Sequence, residues 1–88
     1  MKTKILDFPV IIEPDFETGT GKPGFSAYCP TLGVADDGET IDEALRNIQS
    51  TIKFHLDCLV DEGERVPAGS RGIFTSVQVP FSGRLATG

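Results

Sequence analysis

The sequence predicts an α+β domain: a small antiparallel sheet with one long helix packed across one face, in the order β-β-β-α-β. Three observations carry that prediction. Short β-branched or alternating runs, each closed by proline or a turn dipeptide, fill residues 8–36. A single amphipathic stripe follows, with a helix start signal before it and a glycine stop after it. A last alternating run ends at Pro80. At 88 residues the chain makes one domain, 1–88, whose aperiodic end, 81–88, reads as a flexible tail. A chain this short buries only about 60–65% of its unfolded surface, so association would supply stability that one copy lacks.

The first strand is Phe8-Pro9-Val10-Ile11-Ile12-Glu13, ended by Pro14-Asp15. Phe16 to Pro23 is rich in Gly and Thr and reads as a turn region. Gly24 to Cys29 alternates large and small residues and forms the second strand, which Pro30 closes. Their nearness in sequence makes an antiparallel hairpin the simplest pairing. A brief third strand, Leu32 to Asp36, ends in the turn dipeptide Asp37-Gly38.

Thr40-Ile41-Asp42-Glu43 fits a capping box, in which the Thr40 hydroxyl accepts the Glu43 N–H and the Glu43 carboxylate accepts the Thr40 N–H. Asp42 and Glu43 also sit at the positive end of the helix dipole. Ile41, Ala44, Leu45, Ile48, Ile52, Leu56 and Leu59 then recur at three- and four-residue steps, predicting a helix from about Ile41 to Glu62. Gly63 takes the left-handed position beyond it. Phe54 lies off this stripe. After a Gly/Ser linker, Ile73, Thr75, Val77 and Val79 share one face of a fourth strand over 72–80. One helix covers only one side of such a sheet, so open edges and leftover apolar residues predict a homo-oligomer, a dimer or a tetramer.

Thirteen acids against eight bases give a net charge of −5, which disfavours binding to a nucleic-acid duplex. Five of the eight residues from Asp36 to Glu43 are acidic, whereas no acid follows Glu64. That asymmetry suits a basic protein partner. No window approaches the ~20 apolar residues of a membrane span, and the N-terminus lacks the apolar core of a secretory signal. A cytoplasmic protein without membrane contact is expected.

Little in the chain points to catalysis. His55 is the single histidine and sits at the edge of the apolar stripe, where packing is the simpler role. Cys29, Cys58 and His55 would all be needed for a zinc site, and two cysteines without CxxC spacing argue for buried thiols instead. Gly19-Thr20-Gly21-Lys22 lacks phosphate-loop spacing and leads into a strand. Asp7, Glu13, Asp15, Asp36 and Asp37 could gather around Mg²⁺, although acids beside turns are ordinary surface residues. No metal, cofactor or enzymatic activity is expected. Capping explains Asp42 and Glu43, which leaves Asp36, Asp37 and Glu39, with Glu13 and Asp15, as electrostatic contact candidates.

The strand Phe8 to Glu13, then Gly24-Phe25-Ser26-Ala27-Tyr28-Cys29-Pro30 and Leu32-Gly33-Val34, leads into Asp37-Gly38-Glu39-Thr40-Ile41-Asp42-Glu43-Ala44-Leu45. The helix closes with Asp61-Glu62-Gly63-Glu64-Arg65-Val66-Pro67. This series resembles the HicB-type antitoxin family over about Phe8 to Pro80, most specifically in the G-[DE]-T-x-x-E-A-L string from Gly38 to Leu45. The resemblance implies a partial RNase H-like fold without nuclease activity. It also implies binding and neutralisation of a small basic mRNA-cleaving toxin of HicA type, for which Glu13, Asp15, Asp36, Asp37 and Glu39 are the contact candidates on grounds of charge. Many family members add a C-terminal DNA-binding module. The chain ends at Gly88 without one, so no direct DNA binding is expected. Pro30-Thr31-Leu32-Gly33-Val34 departs from the family's D-L-P-G-C, and the insert from Phe16 to Pro23 is longer than usual. Two other readings are an orphan oligomeric ligand- or protein-binding module and a vestigial RNase H-like nuclease using Glu13, Asp15 and Asp36.

Overall fold

The computed structural model describes residues 3–16, 19–69, 72 and 75–86. Strands β1 (Ile11–Phe16), β2 (Pro23–Cys29) and β3 (Val34–Gly38) form an antiparallel sheet in the order β1-β2-β3, followed by helix α1 (Ile41–Asp61). The α+β class and the order of these four elements match the expectation from sequence. Among the described residues no helix is long and apolar enough to cross a membrane.

Two strand boundaries differ from the reading of the sequence. β1 starts and ends three residues later than expected and carries Pro14 opposite Phe25. Proline cannot donate to a ladder, but β1 is an edge strand with one side unpaired, where a missing N–H costs little. β3 likewise lies two residues further on, because Pro30 to Gly33 form the turn: the Gly33 N–H donates to the Cys29 carbonyl at 2.8 Å, with Gly33 at φ 69°. The fourth strand expected over 72–80 is not found among the described residues. Gly72 and Thr75 to Pro80 carry no strand pairing and lie exposed, while Ile73 and Phe74 fall outside the described residues. Alternation records a face suited to burial; it does not supply a neighbouring strand to complete the ladder.

The helix begins and ends for reasons written in its sequence. The Thr40 hydroxyl accepts the Glu43 N–H at 3.1 Å, as the capping box predicts. The return bond differs: the Glu43 carboxylate accepts from the Glu39 N–H at 3.3 Å, one residue earlier than expected. At the other end the Gly63 N–H bonds the Val60 carbonyl and the Glu64 N–H bonds that of Leu59, with Gly63 at φ 74°. This is a Schellman closure, and the left-handed position suits glycine.

Burial follows the alternation of the strands. Ala27, Cys29, Ala44 and Ile48 are fully buried, with Val10, Ile12, Phe25, Val34 and Ile52 packed against the centre of this cluster. The helix lies over β2 and β3, and its small Ala44 faces the small Ala27, which brings helix and sheet close. Gly38 permits that approach, since a Cβ there would sit 2.9 Å from the Ala44 Cα. Gly38→Ala should therefore destabilise the fold by about 2 kcal/mol in urea unfolding, the range of an overpacked site. Gly72→Ala, with open space around it, should shift stability by less than about 0.5 kcal/mol. Equal midpoints for the two variants would contradict this account of Gly38.

Candidate functional site

Pairing register sorts the acidic side chains onto two faces. Ala27 faces the helix, so its ladder partners Ile12 and Asp36 do as well. Successive residues alternate, which turns Glu13, Asp15, Tyr28 and Asp37 to the opposite, open face. There Ser26 lies between Glu13 on β1 and Asp37 on β3, and Tyr28 between Ile11 and Ala35. Two strand spacings put the Glu13 and Asp37 backbones about 10 Å apart. That exceeds the Debye length of about 8 Å at physiological salt, so the repulsion between the two side chains is weak.

The five candidate acids thus have different surroundings. The Asp36 carboxylate accepts from the Thr51 hydroxyl at 2.5 Å and from the Asp37 N–H at 2.9 Å, half-buried beneath the helix. Asp15 accepts the Phe16 N–H at 2.8 Å, and its remaining oxygen stays exposed. Glu39 is bridged by Lys22 at 2.7 Å. The hydrogen bond and positive charge of Lys22 hold the Glu39 carboxyl below the ordinary glutamate range. Among the described residues no partner engages the exposed carboxylates of Glu13 and Asp37.

At the hairpin end the sheet opens into a cleft of about 250 Å³, lined by Asp15, Phe16, Lys22, Asp37, Glu39 and Glu43 among others. Tyr28 is 44% exposed, so the acidic face carries aromatic surface as well, whereas Phe16, 70% exposed, falls on the other face of β1. Phe16 and Lys22 had no place in the sequence reading of the site. Their positions depend on the hairpin pairing, which brings Lys22 to a residue seventeen positions away. The open face offers separated negative charges and one aromatic ring, a chemistry suited to docking cationic side chains.

A catalytic or metal-binding convergence is not formed by the residues that sequence reasoning considered. Glu13 and Asp15 lie on one face of the sheet, and Asp36 lies on the other. Cys29 is buried, Cys58 is half-buried, and both are free thiols. Among the described residues no three His, Cys, Asp or Glu side chains gather in a way that could hold a metal ion.

Two outcomes follow from these placements. Asp36→Ala should cost about 1–2 kcal/mol, because it strands the Thr51 hydroxyl and the Asp37 N–H, whereas Glu13→Ala should stay within about 0.5 kcal/mol. Urea denaturation of both variants checks this, and equal effects would refute the division between faces. Lys22→Met should move the Glu39 titration up toward the ordinary glutamate range when followed by carboxyl-selective NMR. In the wild-type chain the ion pair is present above that range and is lost as pH falls through the lowered Glu39 value.

Compared with known proteins, the chain is 31% identical over 65 residues to the UPF0150 protein ssr1765 of Synechocystis sp., an alignment covering 73% of this chain and 76% of that protein. No protein-family model matches the chain. No solved structure matches it.

Proposed function

This chain belongs to the UPF0150 family, and on that premise we propose that it is an antitoxin-like protein of HicB type. It binds and neutralises a small basic mRNA-cleaving toxin of HicA type by protein–protein contact. UPF0150 is related to HicB-like proteins, and the motif from Gly38 to Leu45 supports the finer assignment. The observation that carries the reading is the gathering of Glu13, Asp15 and Asp37 on the sheet face that the helix leaves open.

The mechanism needs no chemistry from this chain. A toxin that cleaves mRNA must present cationic side chains to phosphate. A protein face with fixed carboxylates at strand spacing competes for those side chains and covers the surface that RNA would use. Tyr28 adds apolar contact beside the charges. Association would be fast and salt-sensitive, since long-range charge attraction governs encounter. The work belongs to the cytoplasm, where mRNA is the shared target. Direct DNA contact is no part of it, because a net charge of −5 opposes a phosphate backbone.

The experiment is co-purification with the small basic protein encoded beside it, followed by RNA cleavage with and without this chain. The expected result is a complex at low ionic strength that silences cleavage. Glu13→Lys combined with Asp37→Lys should weaken it at least about tenfold through lost attraction and new repulsion. Asp36→Asn should leave binding within about twofold. Absence of any complex at low salt would overturn the proposal, as would a complex indifferent to both charge reversals.

A further inference from the structure

The helix covers β2 and β3, and along its other flank an apolar groove lies open. The groove is about 850 Å³, lined by Ile5, Leu6 and Phe8 on one side and by Ile52, Leu56 and Val60 of α1 on the other. Within its lining Ile5 is 93%, Phe54 71% and Val60 61% exposed. Downstream, Val77, Val79, Phe81 and Leu85 are likewise exposed. Groove and C-terminal arm therefore hold seven of the eleven large hydrophobic residues left exposed among the described part of the chain. A patch and a segment with that much unburied apolar surface mark an interaction site.

The arm has the form of a strand that lacks a neighbour. Val77, Val79 and Phe81 fall at every second position, so an extended arm presents them on one face over about 13 Å. The groove runs along α1 from Gln49 to Val60, about 17 Å at helical rise. The lengths match. Every described arm residue from Thr75 to Ala86 is exposed. The radius of gyration is 16.6 Å and the longest extent 55 Å, against ~12 Å expected for the radius of a compact chain of this length. No residue from Thr75 to Ala86 is buried against the body. Charge points the same way: the arm Thr75–Leu85 carries Arg84 and no acid, whereas residues 1–64 hold all thirteen acids and five of the eight bases, a net −8. A weakly basic arm is attracted to the acidic body of another copy where a second acidic segment would be repelled.

We propose that the arm Thr75–Leu85 of one copy lies in the groove between the N-terminal segment and α1 of a second copy, giving an arm-exchanged homodimer. The exchange is reciprocal, as a two-fold axis requires, so each dimer closes two arm–groove pairs. The acidic sheet face lies on the other side of each sheet and takes no part, so this inference holds independently of any toxin.

Sedimentation of the full-length chain tests it, with two variants whose altered side chains are exposed and spare the core. Wild type should run at twice the 9.4 kDa chain mass. Val77→Asp with Val79→Asp, which spoils the arm, should run as a monomer with unchanged helical circular dichroism. Phe54→Asp, which spoils the groove, should weaken the dimer at least about tenfold. Mixing the two variants should restore part of the dimer, because a mixed pair keeps one intact arm and one intact groove. A monomeric wild type overturns the proposal, including one whose Val77 and Val79 amides are protected from exchange by closure onto the chain's own groove. A dimer unaffected by the arm variant overturns it as well.

Discussion

The close approach of Gly38 to the first turn of α1 is the constraint on which the rest of the structure depends. Here the end of β3 meets the backbone of Glu43 and Ala44, with no room for a side chain between them. Thr40 caps the helix within the same corner. A strand end and a helix start fixed this tightly leave the helix one direction, over β2 and β3. Ala27 and Ala44 then bring the two layers together, and Ile48 fills the space behind them. The remaining features follow from where the helix does not lie. β1 pairs at the edge, the N-terminal segment flanks the helix across an open groove, and the far face of the sheet has no cover.

The same corner divides the acidic run among different tasks. Asp42 and Glu43 serve the helix N-terminus, the first by its position at the dipole and the second by a bond to the Glu39 N–H. Asp36 points inward and is stabilised by Thr51. Asp37, its immediate neighbour, points outward because a strand reverses side with every residue. A stretch that reads as one block of negative charge is therefore split into structural and surface carboxylates by geometry alone. Only the outward set, together with Glu13 and Asp15 from β1, can meet another molecule without loosening the fold.

This split explains how far the sequence could be read. The helix was legible because three local signals agree: the Thr40 cap, the apolar stripe and Gly63. Each acts within a few residues and needs no distant partner. Strand ends were less legible, since a proline ends a central strand yet is harmless at an edge, where Pro14 lies, and edge position is a property of the assembled sheet. The last alternating run showed its periodicity but not a neighbour. For the candidate site, residue type was legible and placement was not. Asp36 and Asp37 are chemically identical in the sequence, and the Lys22–Glu39 bridge spans seventeen positions that only the hairpin brings together. Which carboxylate is available is set by ladder register, a long-range property that composition does not contain.

The two unsatisfied surfaces obey different physics. The open sheet face holds separated charges on a rigid ladder, so its attraction is long-ranged and falls with added salt. The groove beside α1 and the exposed arm are largely apolar, so their burial is short-ranged and depends less on salt. A single helix cannot serve both, because it covers one side of the sheet and stops short of β1. The fully buried core is correspondingly thin, with Ile48 and Cys29 the largest side chains completely enclosed. Added apolar burial at the groove would strengthen the domain itself, as binding to the folded state always does. Recognition on the charged face can then remain reversible without the fold depending on it.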